Sequence, residues 1–137
     1  MRQRAEAEEQ AWEQFDKTVF DRCFGGRTLT QLRAQPPKRS EFVNNVNCRT
    51  RLINETVGPV AMYPDLLAKM RATALTNAQA YAKGTISFED VLARGQENDA
   101  AYIRQYNARS GQDLAQSNQT GAVFIDFLAR TAIGAIR

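Results

Sequence analysis

Two cysteines, Cys23 and Cys48, are the residues whose type and placement most favour a specific chemistry in this sequence. Helical spacing puts Cys23 on the same face as Trp12, whereas Cys48 lies away from the main apolar stripe of the next helix. Because these helices follow one another, we predict a Cys23–Cys48 disulfide that ties them together. Closing a loop of this length is worth roughly 3–4 kcal/mol in the chain-entropy model. The alternative is two separate buried thiols, which are common in cytosolic proteins.

A disulfide would indicate an oxidising compartment, so we predict a periplasmic or secreted protein, with the cytoplasm as the alternative. The first ten residues, MRQRAEAEEQ, contain acidic side chains where a signal peptide has its apolar core. The predicted location therefore presumes that a targeting segment has been removed from this sequence. No run approaches the roughly 18 apolar residues that indicate a membrane span.

The composition excludes several classes of active site. The chain has no histidine, so catalytic triads that use histidine and His-ligated zinc sites cannot be built from it. Two thiols also cannot close a four-thiolate metal site within one molecule. The sequence therefore predicts neither a metal nor another cofactor.

Positive charge is concentrated between residues 25 and 57, where six basic and two acidic residues give +4, against +3 for the whole chain. This group could contact phosphates or an anionic membrane surface, and the alternative is a solvated loop with scattered arginines. Because residues 27–39 contain no aromatic ring to stack on bases, nucleic acid is the less favoured partner. The candidate anion-contacting residues are Arg27, Arg33, Lys38, Arg39, Arg49 and Arg51.

Asp99 is the candidate catalytic residue, because it lies near the centre of an apolar helical stripe and a buried carboxylate can mark an active site. Paired-carboxylate catalysis would require a second acid in the same cleft. Glu89, Asp90 and Glu97 are available, but their spacing defines no specific geometry. We expect Asp99 instead to make a structural hydrogen bond, for example to a tyrosine, or to be exposed at the edge of a helical hairpin.

Hydrophobic periodicity predicts an all-α protein of four to five helices that forms one domain over residues 1–137. The first helix is predicted over about 4–24 and stops at Gly25-Gly26. A long connection over 27–39 follows, and Ser40 is the predicted N-cap of the second helix.

An antiparallel helical hairpin, about 64–83 and 87–108, is the predicted centre of a small bundle. Pro64 suits the first turn, Gly84 the end of the first helix, and Ser87 with Asp90 a capping box for the second. The segment YAKGTISFED resembles the hairpin of the short helical modules called SHOCT domains. This likeness covers ten residues and implies a helix-turn-helix without a particular function.

The C-terminal segment carries the candidate partner surface. A flexible connection is predicted over 110–121, followed by a helix over 122–136 that is apolar over most of its circumference. Such a helix needs cover on several sides, either in the bundle core or against a protein partner or a second copy. The residues predicted to make this contact are Phe124, Phe127, Leu128 and Ile136.

These observations together predict a small non-catalytic protein of the bacterial cell envelope or periplasm, an interaction or assembly factor braced by one disulfide. The first alternative is a cytosolic module that binds nucleic acid or another polyanion through residues 25–57. The second is a carboxylate-dependent enzyme centred on Asp99.

Overall fold

The computed structural model describes residues 2–117, with side chains described through residue 113. Within that range the chain forms five α-helices and no strand, which confirms the predicted all-α bundle. The helices are α1 (Arg2–Cys23), α2 (Leu29–Ala34), α3 (Arg39–Thr56), α4 (Pro64–Ala82) and α5 (Phe88–Ser117), with one 3₁₀ turn at Gly58–Val60 between α3 and α4.

α1 buries one stripe of its surface, which includes Trp12, Phe15, Val19 and Cys23 at helical spacing. The helix stops where Gly25 and Gly26 take positive φ angles of 62° and 73°. Residues with a Cβ rarely adopt this conformation, so the glycine pair ends the helix as predicted.

α2 is the main departure from the predicted secondary structure, because it lies inside the stretch expected to be a long connection. Thr28 and Gln31 form a capping box: Gln31 N donates to Thr28 Oγ1 at 3.2 Å and Thr28 N donates to Gln31 Oε1 at 2.8 Å. Leu32 on this helix is buried in the core. The cap and the buried leucine together explain why a single short helix forms here.

α3 begins at Arg39. Lys38 is its N-cap residue, but the Lys38 side chain makes no capping hydrogen bond. The expectation that Ser40 caps this helix is therefore wrong, since Ser40 lies within its first turn. The chain just before α3 is held by α4, because Tyr81 OH donates to Pro37 O at 2.6 Å in a buried hydrogen bond. This tertiary contact fixes the entry of α3 without a local side-chain cap.

α4 and α5 pack against each other as the predicted antiparallel hairpin. Pro64 is the first residue of α4, and Gly84, at a φ of 80°, follows its end. Asp90 N donates to Ser87 Oγ at 3.1 Å and Ser87 N donates to Asp90 Oδ2 at 3.0 Å, which confirms the predicted capping box. α3 packs against both α1 and α4 and so occupies the middle of the bundle.

α5 extends to Ser117, beyond its predicted end near 108. Arg109 binds Asp65 at the start of α4 through two hydrogen bonds of 2.7 and 2.9 Å. Tyr63 OH donates to Asp113 Oδ2 at 2.7 Å. These contacts hold the last turns of α5 against the start of α4, so residues 110–117 are helical where a flexible connection was expected.

The rest of the predicted C-terminal part, 118–121 and the helix over 122–136, lies outside the described residues. The candidate partner residues Phe124, Phe127, Leu128 and Ile136 lie there as well. Among the helices of residues 2–117, none combines the length and the apolar character that crossing a membrane requires.

Candidate functional site

The two cysteines form the predicted disulfide, with 5.5 Å between their Cα atoms. Cys23 is the last residue of α1 and is buried, whereas Cys48 lies in the middle of α3 and is half-buried. The bond therefore fixes the C-terminal end of α1 on the flank of the central helix. Its position also explains why Cys48 lies off the main apolar stripe of α3, since that side faces α1.

The candidate anion-contacting residues do not form one continuous exposed patch, and Arg39 shows why. Its Nη1 donates to the carbonyl oxygens of Tyr81 at 2.6 Å and Ile86 at 2.9 Å. Its guanidinium also lies 4.5 Å from the centre of the Tyr81 ring. Arg39 thus binds the end of α4 and the turn that follows it, and much of its donor capacity is used inside the fold.

Two further arginines of this group are engaged close to α2. Arg27 Nη2 donates to the carbonyl oxygens of Gln31, at 3.1 Å, and of Gln35, which satisfies acceptors at the end of this short helix. Arg33 lies 3.8 Å from the Glu89 carboxylate, an exposed pair of small energetic weight. Both arginines therefore serve the local fold of the α2 region.

Arg49 lies in the interior and so cannot belong to a surface patch, which corrects its predicted role. It is 4% exposed, and its guanidinium lies 5.5 Å from the centre of the Phe15 ring. Nε and Nη1 are both buried and make no hydrogen bond to any described group. Lys38 and Arg51 remain as exposed residues of the predicted group whose side chains make no hydrogen bond or ion pair within residues 2–117.

Asp99 is fully buried on α5, and neither of its carboxylate oxygens accepts a hydrogen bond from a described group. The expected alternatives, a bond to a tyrosine or exposure at the hairpin edge, are therefore both wrong. Burial raises the pKa of Asp99 to about 7, while the positive charge of Arg49 acts in the opposite direction. The same burial lowers the pKa of Arg49, and the charge of Asp99 partly offsets this. The two residues thus form a buried charge pair across α3 and α5 without a direct hydrogen bond.

The tyrosine hydrogen bond expected for Asp99 is found instead at Glu8, a buried acid that sequence reasoning missed. Its Oε1 accepts from Met62 N at 2.7 Å, and its Oε2 accepts from Trp12 Nε1 at 3.3 Å and from Tyr102 OH at 3.2 Å. Burial nevertheless raises the pKa of Glu8, against the effect of these bonds. Glu8 thus joins α1, α5 and the segment before α4. Glu8 lies four residues before Trp12 on the buried stripe of α1, and this spacing could have indicated that it is buried.

The other acids considered as catalytic partners do not converge on Asp99. Glu89, Asp90 and Glu97 are exposed, and the last two serve the Ser87 cap and an ion pair with Arg104 at 2.8 Å. Over residues 2–117, cysteine and carboxylate side chains also do not gather in a group that could hold a metal ion.

A cavity of about 70 Å³ lies where all five helices meet, next to Arg49. Each helix contributes apolar side chains to its walls, and Arg49 is the one charged residue among the lining residues of the described chain. Three of the partly buried lining residues, Phe20, Phe24 and Leu29, connect the cavity with the surface. The arrangement is a mostly apolar cavity with one cationic side chain, Arg49, and one amide side chain, Asn77.

Comparison with protein-family models, with curated proteins and with solved structures gives no match for this chain.

Proposed function

We propose that this chain is a small non-catalytic protein of the bacterial cell envelope or periplasm that works as an interaction or assembly factor. The observation that carries the proposal is the Cys23–Cys48 disulfide. Bonds of this kind persist in oxidising compartments and are rare in the cytosol of mesophiles. In a chain of 137 residues, one cross-link between the first helix and the central helix gives a rigid scaffold.

The arrangement of the buried acids supports a non-catalytic role. Glu8 is held by three donors, Met62 N, Trp12 Nε1 and Tyr102 OH, so its carboxylate is part of the core. Asp99 is fully buried, and among the described residues the one charged group that acts on its carboxyl is Arg49. General acid–base chemistry requires a carboxyl group within reach of a substrate and usually a partner group, which these positions do not offer.

The interaction role is supported by the way that α5 leads into the apolar C-terminal sequence. α5 has 30 residues and α4 has 19, and the end of α5 is anchored by Arg109 and Tyr63 on the start of α4. The sequence over 122–136 follows α5 in the chain, and the amphipathic pattern predicts that a helix there would be apolar over most of its circumference. We propose that it contacts a protein partner or a second copy.

The compartment is tested by trapping thiols in intact cells that express the protein from its complete native open reading frame. An alkylating reagent is added before lysis, and intact mass is measured with and without reductant. We expect no alkylation without reductant and two alkylated cysteines after reduction. Two alkylated cysteines in the untreated sample would overturn the envelope assignment.

The interaction role is tested with Phe127→Asp in the full chain, and Arg130→Gln on the polar strip of the same segment is the matched control. Light scattering and in-cell crosslinking should show an assembly for the wild type and the control, and a folded monomer for Phe127→Asp. A wild-type monomer that gives no crosslinked product would overturn the proposal. Unfolding of Phe127→Asp would also overturn it, because the segment would then be part of the core.

A further inference from the structure

The buried guanidinium of Arg49 and the cavity beside it form a feature that the scaffold role leaves unexplained. Arg49 is only 4% exposed, yet its Nε and Nη1 atoms have no hydrogen-bond acceptor among the described residues. An arginine side chain has five donors in a planar fork that matches a carboxylate. Leaving buried donors unsatisfied is costly, so such a side chain indicates a site for an acceptor.

We propose that the cavity where the five helices meet binds a small monocarboxylate with a short apolar chain. The carboxylate would lie on the Arg49 guanidinium, and the hydrocarbon would lie among the aromatic and aliphatic side chains of the walls. Charge complementarity selects the anion, since Arg49 is the one charged residue of the described lining. The apolar walls, which include Phe42, Phe88 and Leu92, select the chain.

The volume of the cavity sets the size of the ligand. A cavity needs a volume on the order of 10–15 Å³ to hold one water molecule. The cavity of about 70 Å³ therefore accommodates a ligand of about five non-hydrogen atoms. Propionate and butyrate have this size, and long-chain fatty acids exceed it.

Asp99 acts as the competing anion in this arrangement. It lies on α5, interacts with Arg49 through its charge, and is not among the cavity-lining residues. An ionised Asp99 weakens the attraction between Arg49 and a bound carboxylate. Removing this charge is therefore expected to tighten binding of the anion, which a purely structural role for Arg49 does not predict.

Binding is measured by calorimetry and by ligand-observed NMR on the full, disulfide-bonded chain, with propionate, butyrate and the neutral analogue butyramide as probes. Butyrate should bind at least about tenfold more tightly than butyramide, because a charge-assisted hydrogen bond is lost in the amide. Arg49→Gln should remove this preference, whereas Arg51→Gln, two positions along the same helix and exposed, should retain it. Equal binding of the acid and the amide, or absence of binding to the wild type, would overturn the proposal.

Two further variants keep the test decisive if Arg49→Gln does not fold. Ala74→Leu places a larger side chain in the cavity wall and should abolish butyrate binding without removing any charge. Asp99→Asn should increase the affinity for butyrate at pH 8.5 by about tenfold or more, because Asp99, whose pKa is about 7, is ionised in the wild type at that pH and competes for Arg49. Unchanged affinity in Ala74→Leu would show that butyrate binds elsewhere, and weaker binding in Asp99→Asn would contradict the role assigned to Arg49.

Discussion

Replacing Asp99 with asparagine should make the folded protein more stable at pH 8 and leave it nearly unchanged at pH 4. The carboxyl group is fully buried and accepts no hydrogen bond from a described group, so its charged form is poorly solvated in the native state. Arg49 provides an opposing positive charge but no direct hydrogen bond. Asparagine has nearly the same shape and carries no charge at any pH.

The size and sign of the effect follow from the pKa of Asp99, which burial raises from 3.8 to about 7 in the folded state. Between these two values the native state binds more protons than the unfolded state, so the free energy of unfolding falls as the pH rises. Above pH 7 the native state carries the full free-energy cost of the buried Asp99 charge. A shift of about three pKa units corresponds to about 4 kcal/mol. Asp99→Asn removes this cost.

The assay is urea unfolding at a series of pH values from 4 to 8.5, with the disulfide intact. The wild type should lose stability over this range more steeply than Asp99→Asn, and the two curves should meet near pH 4. Asp21→Asn is the matched control, because Asp21 is an exposed aspartate on α1. Glu8 is unchanged in all three proteins, so its contribution cancels in the comparison.

A destabilised Asp99→Asn protein at pH 8, with the pH dependence of the wild type retained, would refute this reasoning. Such a result would mean that the charged form of Asp99 stabilises the native state through Arg49, and that its pKa is not raised by burial. It would also weigh against the proposed carboxylate site, because Asp99 would then be the anion that Arg49 binds.

Three other changes test the remaining features of the fold by urea unfolding. Serine at both Cys23 and Cys48, or reduction of the wild type, should lower the free energy of unfolding by about 3–4 kcal/mol, and an unchanged midpoint would contradict a bracing role. Glu8→Gln should lower the free energy of unfolding by about 1–3 kcal/mol, because either orientation of the amide turns an N–H group towards a donor. A variant as stable as the wild type would show that the hydrogen bonds around residue 8 rearrange. Thr28→Ala should cost about 1 kcal/mol through loss of the cap of α2, whereas Thr30→Ala, inside the same helix, should cost less; the reverse order would contradict the capping role.

Local sequence chemistry was sufficient for the hairpin and for most helix boundaries. Gly84, with its positive φ, and the Ser87 cap act over one turn of chain, so their effects can be read from neighbouring residues. The capping box at Thr28 and Gln31 had the same kind of local signal, but its helix of 6 residues is too short to show an apolar period.

Arg49 and Glu8 show where reading the sequence by residue type failed. Arg49 lies on the α3 stripe with Val46 and Ile53, and Glu8 lies on the α1 stripe with Trp12, so spacing alone placed both in the core. Because both side chains are charged, their residue type instead predicts that they lie at the surface. Only the neighbours from other helices decide between these alternatives, because they supply or withhold the partners of a buried polar group.

By itself, the sequence determined that this chain is helical, where most of its long helices begin and end, and which two cysteines can pair. Each of these depends on periodicity, on caps and on residue counts, which are local or compositional properties. The tertiary structure decided that the charges of Arg49 and Asp99 are both buried and interact, that Glu8 receives the tyrosine hydrogen bond, and that a cavity remains beside Arg49. These properties arise where helices distant in sequence meet, so they depend on packing geometry that no single helix contains.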